Sequence, residues 1–219
     1  LGIPPERISV TPLGVDPARF APAGPEAVEA LRRRLGLPER YFLFLGSGDP
    51  RKNFGLIPRA LRRAGLDIPL AAAGWTGWAA GSAPAIRLGY VPDQDLSALL
   101  SGALALVFPS RYEGFGLPIA EAMACGCPVA ACRAASLPEV GGDAALYLDD
   151  PDDEEGLGRL LRDLAENPGL RDRLREAGLA RARTLTWRKT AEATLEAFRS
   201  VLAAPGSEGR PVQTGGPLP

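Results

Sequence analysis

The run Phe108-Pro109-Ser110-Arg111-Tyr112-Glu113-Gly114-Phe115-Gly116-Leu117-Pro118-Ile119-Ala120-Glu121-Ala122-Met123-Ala124-Cys125-Gly126-Cys127-Pro128-Val129 joins a strand end, a glycine-punctuated turn and a short helix. The apolar residues Ala103 to Phe108 suit a buried strand. Gly114 and Gly116 let the backbone turn tightly and come close to a ligand, and Pro118 suits the first helical turn. Glu113 falls in the turn and Glu121 in the first turns of the helix, so both carboxylates can face the crevice at the carboxyl edge of a parallel sheet. A helix N-terminus in that crevice favours phosphate.

Outward from this run, strand-like stretches at Tyr41 to Gly46, Ile68 to Gly74, Ile86 to Gly89, Ala103 to Phe108, Pro128 to Cys132 and Ala145 to Leu148 alternate with helical patterns. The helices are expected near Asn53 to Ala64, Gln94 to Gly102 and Pro118 to Ala124. Such alternation predicts an α/β fold with a doubly wound parallel sheet. Three further helices are expected at Glu154 to Glu166, Leu170 to Arg183 and Trp187 to Leu202, the last with apolar residues at helical spacing. From Pro205 the sequence is Gly, Pro and polar residues without periodicity, which predicts a frayed tail over 204–219.

A 219-residue chain that is 46% hydrophobic and 23% charged has an ordinary composition for a globular domain. Its formal net charge of -1 excludes a long-range basic field for nucleic acid. No apolar run approaches the roughly 20 residues needed to cross a bilayer, and the N-terminus has no signal pattern, so a cytoplasmic location is expected. The cysteines, Cys125, Cys127 and Cys132, read as small buried residues of a reducing compartment. Histidine is absent, which removes the commonest general base and any nucleophile that depends on it.

The segment from Glu113 to Glu121, with its Gly-Phe-Gly-Leu-Pro core, resembles the motif of the group 1 (family 4) nucleotide-sugar glycosyltransferases of the GT-B fold, two glutamates separated by seven residues. Arg7-Ile8-Ser9-Val10-Thr11-Pro12-Leu13-Gly14-Val15-Asp16 resembles the interdomain segment before their second domain, with Leu13 where Asn is frequent. The loop Gly46-Ser47-Gly48-Asp49-Pro50-Arg51-Lys52-Asn53 resembles the Glu-Pro-Arg-Lys-Asn loop of the mannosyltransferase-like members, with Asp49 for Glu. Many relatives carry Arg where this chain has Ser47. The resemblance covers about Pro5 to Leu202.

It implies a single C-terminal GT-B domain, Rossmann-like, over residues 17–203, preceded by the interdomain segment 1–16. By the same resemblance the chain is the donor-binding half of a retaining, metal-independent hexosyltransferase. The N-terminal acceptor domain would be missing and the chain inactive alone; the last helix resembles the one that crosses back onto that domain. The acceptor is a glycan, lipid or small molecule, and any membrane contact is made through the missing half.

Transfer from a nucleotide diphosphate sugar needs the departing diphosphate neutralised by a metal or by fixed cations and backbone donors. The resemblance gives that task to Arg51 and Lys52, beside Gly46 and Ser47, whereas Glu113 orients the sugar. By the same resemblance Gly114, Phe115, Gly116 and Leu117 would place backbone amides beside the sugar and phosphates, and Glu121, a carboxylate with two acceptor oxygens, would hold the ribose diol. Leu88 to Asp93 resembles the segment that holds the nucleobase, which implies that role for the backbone of Val91; the plain reading is a strand-to-helix turn with Asp93 or Asp95 as N-cap. No cofactor is implied, and the Asp93-Gln94-Asp95 and Asp150-Pro151-Asp152 triplets read as acidic helix starts rather than metal ligands. Two other readings compete. One is a nucleotide- or glycan-binding module without transfer activity. The other is a dinucleotide-dependent oxidoreductase, since Gly46-Ser47-Gly48 opens a fingerprint and Asp67 lies near the ribose spacing, but Arg51 stands at the third glycine position.

Overall fold

Strand β1 (Phe42–Leu45) turns Leu43 and Leu45 to one face and Phe42 and Phe44 to the other, and this alternation sorts the core into two clusters. In this computed structural model, which describes residues 2–74 and 84–203, the same division runs through β2 (Leu70–Ala73), β4 (Ala105–Phe108) and β5 (Val129–Cys132). Every residue of these four strands is buried. With helices on both faces there is no polar side to present, which is why each strand reads as a continuous apolar run. The edge strand β3 (Ile86–Gly89) instead alternates, Arg87 and Gly89 being exposed.

All strand pairs are parallel and the order is β3-β2-β1-β4-β5-β6, with β6 at Leu146–Leu148. The direction of winding reverses between β1 and β4. A crevice opens at the carboxyl ends of those two strands, because the connections leave to opposite sides. The doubly wound α/β expectation is therefore met.

One face of the sheet carries α1 (Pro25–Leu35), α3 (Asp93–Ser101), α4 (Leu117–Ala124) and the short α5 (Leu137–Gly141); α4 packs in turn on α7 (Pro168–Ala182). The other face carries α2 (Leu56–Arg63) against α6 (Glu154–Glu166). Leu56, Ile57, Leu161 and Leu164 are inaccessible to water there, each worth about 1.5–3 kcal/mol of transfer free energy. The last helix, α8 (Trp187–Ala203), buries none of its residues.

Three expectations need correction. The helix after β1 does not start at Asn53: Pro50–Lys52 forms a 3-10 turn, Asn53 follows in the left-handed region at φ 54, and α2 begins at Leu56. Neither Asp93 nor Asp95 caps α3, whose N-cap position is Pro92; both are drawn into ion pairs, Asp93 with Arg19 and Asp95 with Arg34 at 2.6 Å. Asp67 precedes β2 and so stands at the amino end of the sheet, the wrong edge for a ribose, which removes the oxidoreductase reading. The expected tail lies outside the described residues.

Candidate active site

Two loops that are far apart in sequence meet at the switch point between β1 and β4. After β1, the Asp49 carboxylate accepts the Arg51 backbone N–H at 2.9 Å and the Arg51 Nε at 3.0 Å, fixing the 3-10 turn and aiming the guanidinium. That backbone donor and then the guanidinium hold the Asp49 carboxyl below its usual range. After β4, Glu113 comes to lie between the two cations, with Oε1 2.6 Å from Lys52 Nζ and Oε2 3.3 Å from Arg51 Nη1. The Glu113 and Lys52 side chains are 9% and 12% exposed, so water screens this pair weakly. The Lys52 ammonium also stands 5.0 Å from the centre of the Phe108 ring.

The scaffold around the pair is tied to the loops after four strands, β1, β4, β5 and β6. The Arg111 N–H donates to the Arg51 carbonyl at 2.8 Å, and the Arg111 guanidinium forks onto Asp152 in the loop after β6. Asn53 donates from its side chain to the Pro151 carbonyl of that same loop at 2.7 Å. Ser136 lies with its hydroxyl 3.0 Å from the Glu113 carbonyl and 2.8 Å from that of Phe115, able to donate to either. Ser136 and Arg111 carry no signal of their own in the sequence. Ser136-Leu-Pro-Glu139 even has the form of a capping box, yet the hydroxyl caps no helix and serves the loop instead.

The glycine turn divides its labour. Gly116 adopts φ +99 as the residue before α4, and a methyl there would meet Leu137 Cδ2 at 2.6 Å, so the fold demands glycine. Gly114 lies outside the left-handed region and a methyl on it would meet nothing within 4 Å. The tight turn expected of both glycines belongs to Gly116 alone; Gly114 leaves an open, exposed stretch of backbone. Pro118 lies in the first turn of α4 as expected, the helix opening one residue earlier at Leu117.

Glu121 sits one turn further along α4, half-buried, and does not join the cluster of Arg51, Lys52 and Glu113. Its charged neighbours are Arg19 and Asp93, from the segment before α1 and the start of α3. Burial pushes its carboxyl up, Arg19 opposing and Asp93 adding to the rise. Val91 is buried at the β3 to α3 turn, next to an exposed Tyr90. Gly46 and Ser47 are half-buried at the end of β1. The site thus has two poles, the ion-paired cluster of Arg51, Lys52, Asp49 and Glu113 at the switch point and the Glu121 carboxylate facing Arg19 and the start of α3. A groove of about 770 Å³ borders the turn, lined by Thr11, Gly114, Phe115, Ser136, Glu139 and Lys189 among others.

Among the described residues no group of three or more His, Cys, Asp or Glu is placed to hold a metal ion. The three cysteines are free and buried; burial pushes the thiols of Cys125 and Cys132 up to about 11 and that of Cys127 to about 12, so they stay protonated at neutral pH.

Residues 28–181 match the family model described as glycosyl transferases group 1. The chain belongs to this family. It is 35% identical over 215 residues to the O-antigen chain mannosyltransferase B of Escherichia coli, covering 90% of this chain and 55% of that protein. Among solved structures, sucrose-phosphate synthase from Thermosynechococcus elongatus superposes with TM-score 0.73 at 25% identity, over 88% of this chain and 52% of its own. The Anabaena protein HepE, in complex with UDP and glucose, superposes with TM-score 0.75 at 18% identity, over 85% of this chain and 55% of its own. The chain spans about half the length of these relatives. Among the described residues no helix is long and apolar enough to cross a membrane.

Proposed function

We propose that this group 1 glycosyltransferase chain is the donor-binding half of a retaining enzyme that moves a hexose, mannose first among the candidates, from a nucleotide diphosphate sugar to an acceptor. The observation that carries the reading is the meeting of Arg51, Lys52 and Glu113 at the switch point, 61 and 62 residues apart in sequence. Two fixed cations on a rigid turn are suited to the charge that develops on a departing diphosphate, and they need no metal. The exposed backbone at Gly114 gives the phosphates and sugar close access to amide donors. Glu113 serves the sugar hydroxyls, and Glu121, at the other pole with Val91, serves the ribose and base. The mannosyltransferase relative supports the choice of sugar, and the UDP and glucose held by HepE support the class of donor. The acceptor would be held by a further domain that faces the same crevice.

Calorimetric titration with UDP-, GDP- and dTDP-sugars, with and without EDTA, tests the reading. Binding of one nucleotide series that survives EDTA is the expected result. Binding that appears only with magnesium or manganese would overturn the metal-free mechanism, and no binding to any of them would overturn the donor assignment.

A further inference from the structure

Glu113 is 8% exposed, and both of its carboxylate oxygens are engaged by the cations that the donor reading offers to a diphosphate. Asp49 engages Arg51 from the other side, its Oδ2 3.0 Å from Nε. Arg51 and Lys52 are therefore matched, charge for charge, by Asp49 and Glu113, and an incoming anion meets cations that are already compensated. We propose that Glu113 is a specificity-determining residue that makes this site prefer an intact sugar diphosphate over the free nucleoside diphosphate. The inference rests on the donor-binding reading above.

The two ligands differ in charge and in what they offer a carboxylate. A terminal phosphate has a second pKa near 6, so at neutral pH the free diphosphate carries about one more negative charge than the sugar ester. To reach Lys52 it must displace the Glu113 carboxylate or lie beside it. Either costs free energy, and the weak screening at this depth makes the repulsion larger than on an open surface. A sugar hydroxyl, by contrast, donates to a carboxylate, so the group that repels the bare phosphate attracts the ester. Ser136, bonded to the backbone of the same turn, keeps the carboxylate at its post. A site built this way lets the spent nucleotide go once the sugar has left.

The test compares wild type with Glu113→Gln by calorimetry, using UDP, GDP and dTDP and the matching nucleotide sugars at low and high salt, in EDTA. The expected result is that Glu113→Gln binds the free diphosphate at least about threefold more tightly than wild type, that the preference for the sugar ester falls, and that the gain shrinks as salt rises. Wild-type binding with an equal or weaker affinity of Glu113→Gln for the free diphosphate would overturn this inference and leave the donor reading standing. If wild type binds none of these nucleotides, both fall. Should Glu113→Gln fail to give a cooperative melt, Glu113→Asp, which draws the charge back by one methylene, is read in the same way, and no gain in free diphosphate affinity overturns the inference.

Discussion

Asn53 donates its side-chain amide to the Pro151 carbonyl at 2.7 Å while holding its own backbone at φ 54. This one residue thus ends the cationic turn after β1 and pins it to the loop after β6. Because Arg51 and Lys52 precede it directly, their positions depend on both properties. Asn53→Ala loses the bond and strains the left-handed backbone, and is expected to cost about 1–3 kcal/mol of stability. Asn53→Gly relieves the strain but not the bond, and should recover part of the loss. Denaturant unfolding of the two variants, with nucleoside diphosphate affinity measured in parallel, checks this; equal stabilities would remove the backbone component.

Gly114 and Gly116 are expected to respond oppositely to alanine. At Gly116 the methyl meets Leu137 and the backbone is left-handed, so Gly116→Ala should destabilise the fold by about 1–3 kcal/mol. At Gly114 neither penalty exists, so Gly114→Ala should melt like wild type; on the donor-binding reading it should nonetheless bind a nucleotide sugar more weakly, because the methyl would stand where that reading brings the ligand to the amides. A thermal melt and a binding isotherm for each variant separate the two; unchanged affinity in Gly114→Ala would show that nothing approaches this backbone.

The four inner strands were readable because both faces of the sheet are covered there, which turns each of them into an unbroken apolar run such as Phe42 to Leu45 or Ala105 to Phe108. Helix α1 escaped that reading. Only Leu31 of it is buried and half of its other residues are charged, although Pro25 at its start and Gly36, left-handed at its end, are ordinary boundary signals. The motif at Glu113 to Glu121 was legible as a motif, but the contact of Glu113 with Lys52 was not. It depends on β4 lying beside β1, a fact of strand order that no local pattern carries. The separation of Glu121 from that cluster was equally hidden, since helical spacing places it on α4 but does not say that Arg19 and Asp93 will face it.

Helix α8 exposes Trp187 and Leu195 by about half and Phe198 and Val201 by 64% and 67%, an apolar stripe along one side of the helix. On the donor-half reading, this chain alone should transfer no sugar at a useful rate, because holding donor and acceptor in register supplies roughly 7–11 kcal/mol of the barrier. Assay with several donors and acceptors, alone and with the N-terminal portion of a full-length relative supplied, checks it. Robust transfer by the isolated chain would overturn the division of labour. Phe198→Lys should also reduce any self-association of the isolated chain seen by sedimentation.

On the donor-binding reading, nucleotide recognition by Glu121 should depend on pH in a direction that its surroundings dictate. Burial raises the Glu121 carboxyl, with Arg19 opposing and Asp93 adding. Between the ordinary carboxylate value and the raised one, the folded chain keeps a proton that the unfolded chain has lost, so this group's contribution to stability falls as pH rises through that window. Ribose binding runs the other way, because only the ionised carboxylate can accept from both hydroxyls of the diol. Affinity for a plain nucleoside, which has no phosphate to titrate, should therefore rise as pH climbs through the raised Glu121 value. Glu121→Gln should abolish that slope and Glu121→Ala should weaken binding by about tenfold or more, the worth of hydrogen bonds to a charged group. Titrations with uridine and guanosine across the acid range, with their 2′-deoxy counterparts as controls that lack the diol, decide the matter. A wild-type affinity that is flat or falls with pH, or a slope that persists in Glu121→Gln, would place the ribose elsewhere.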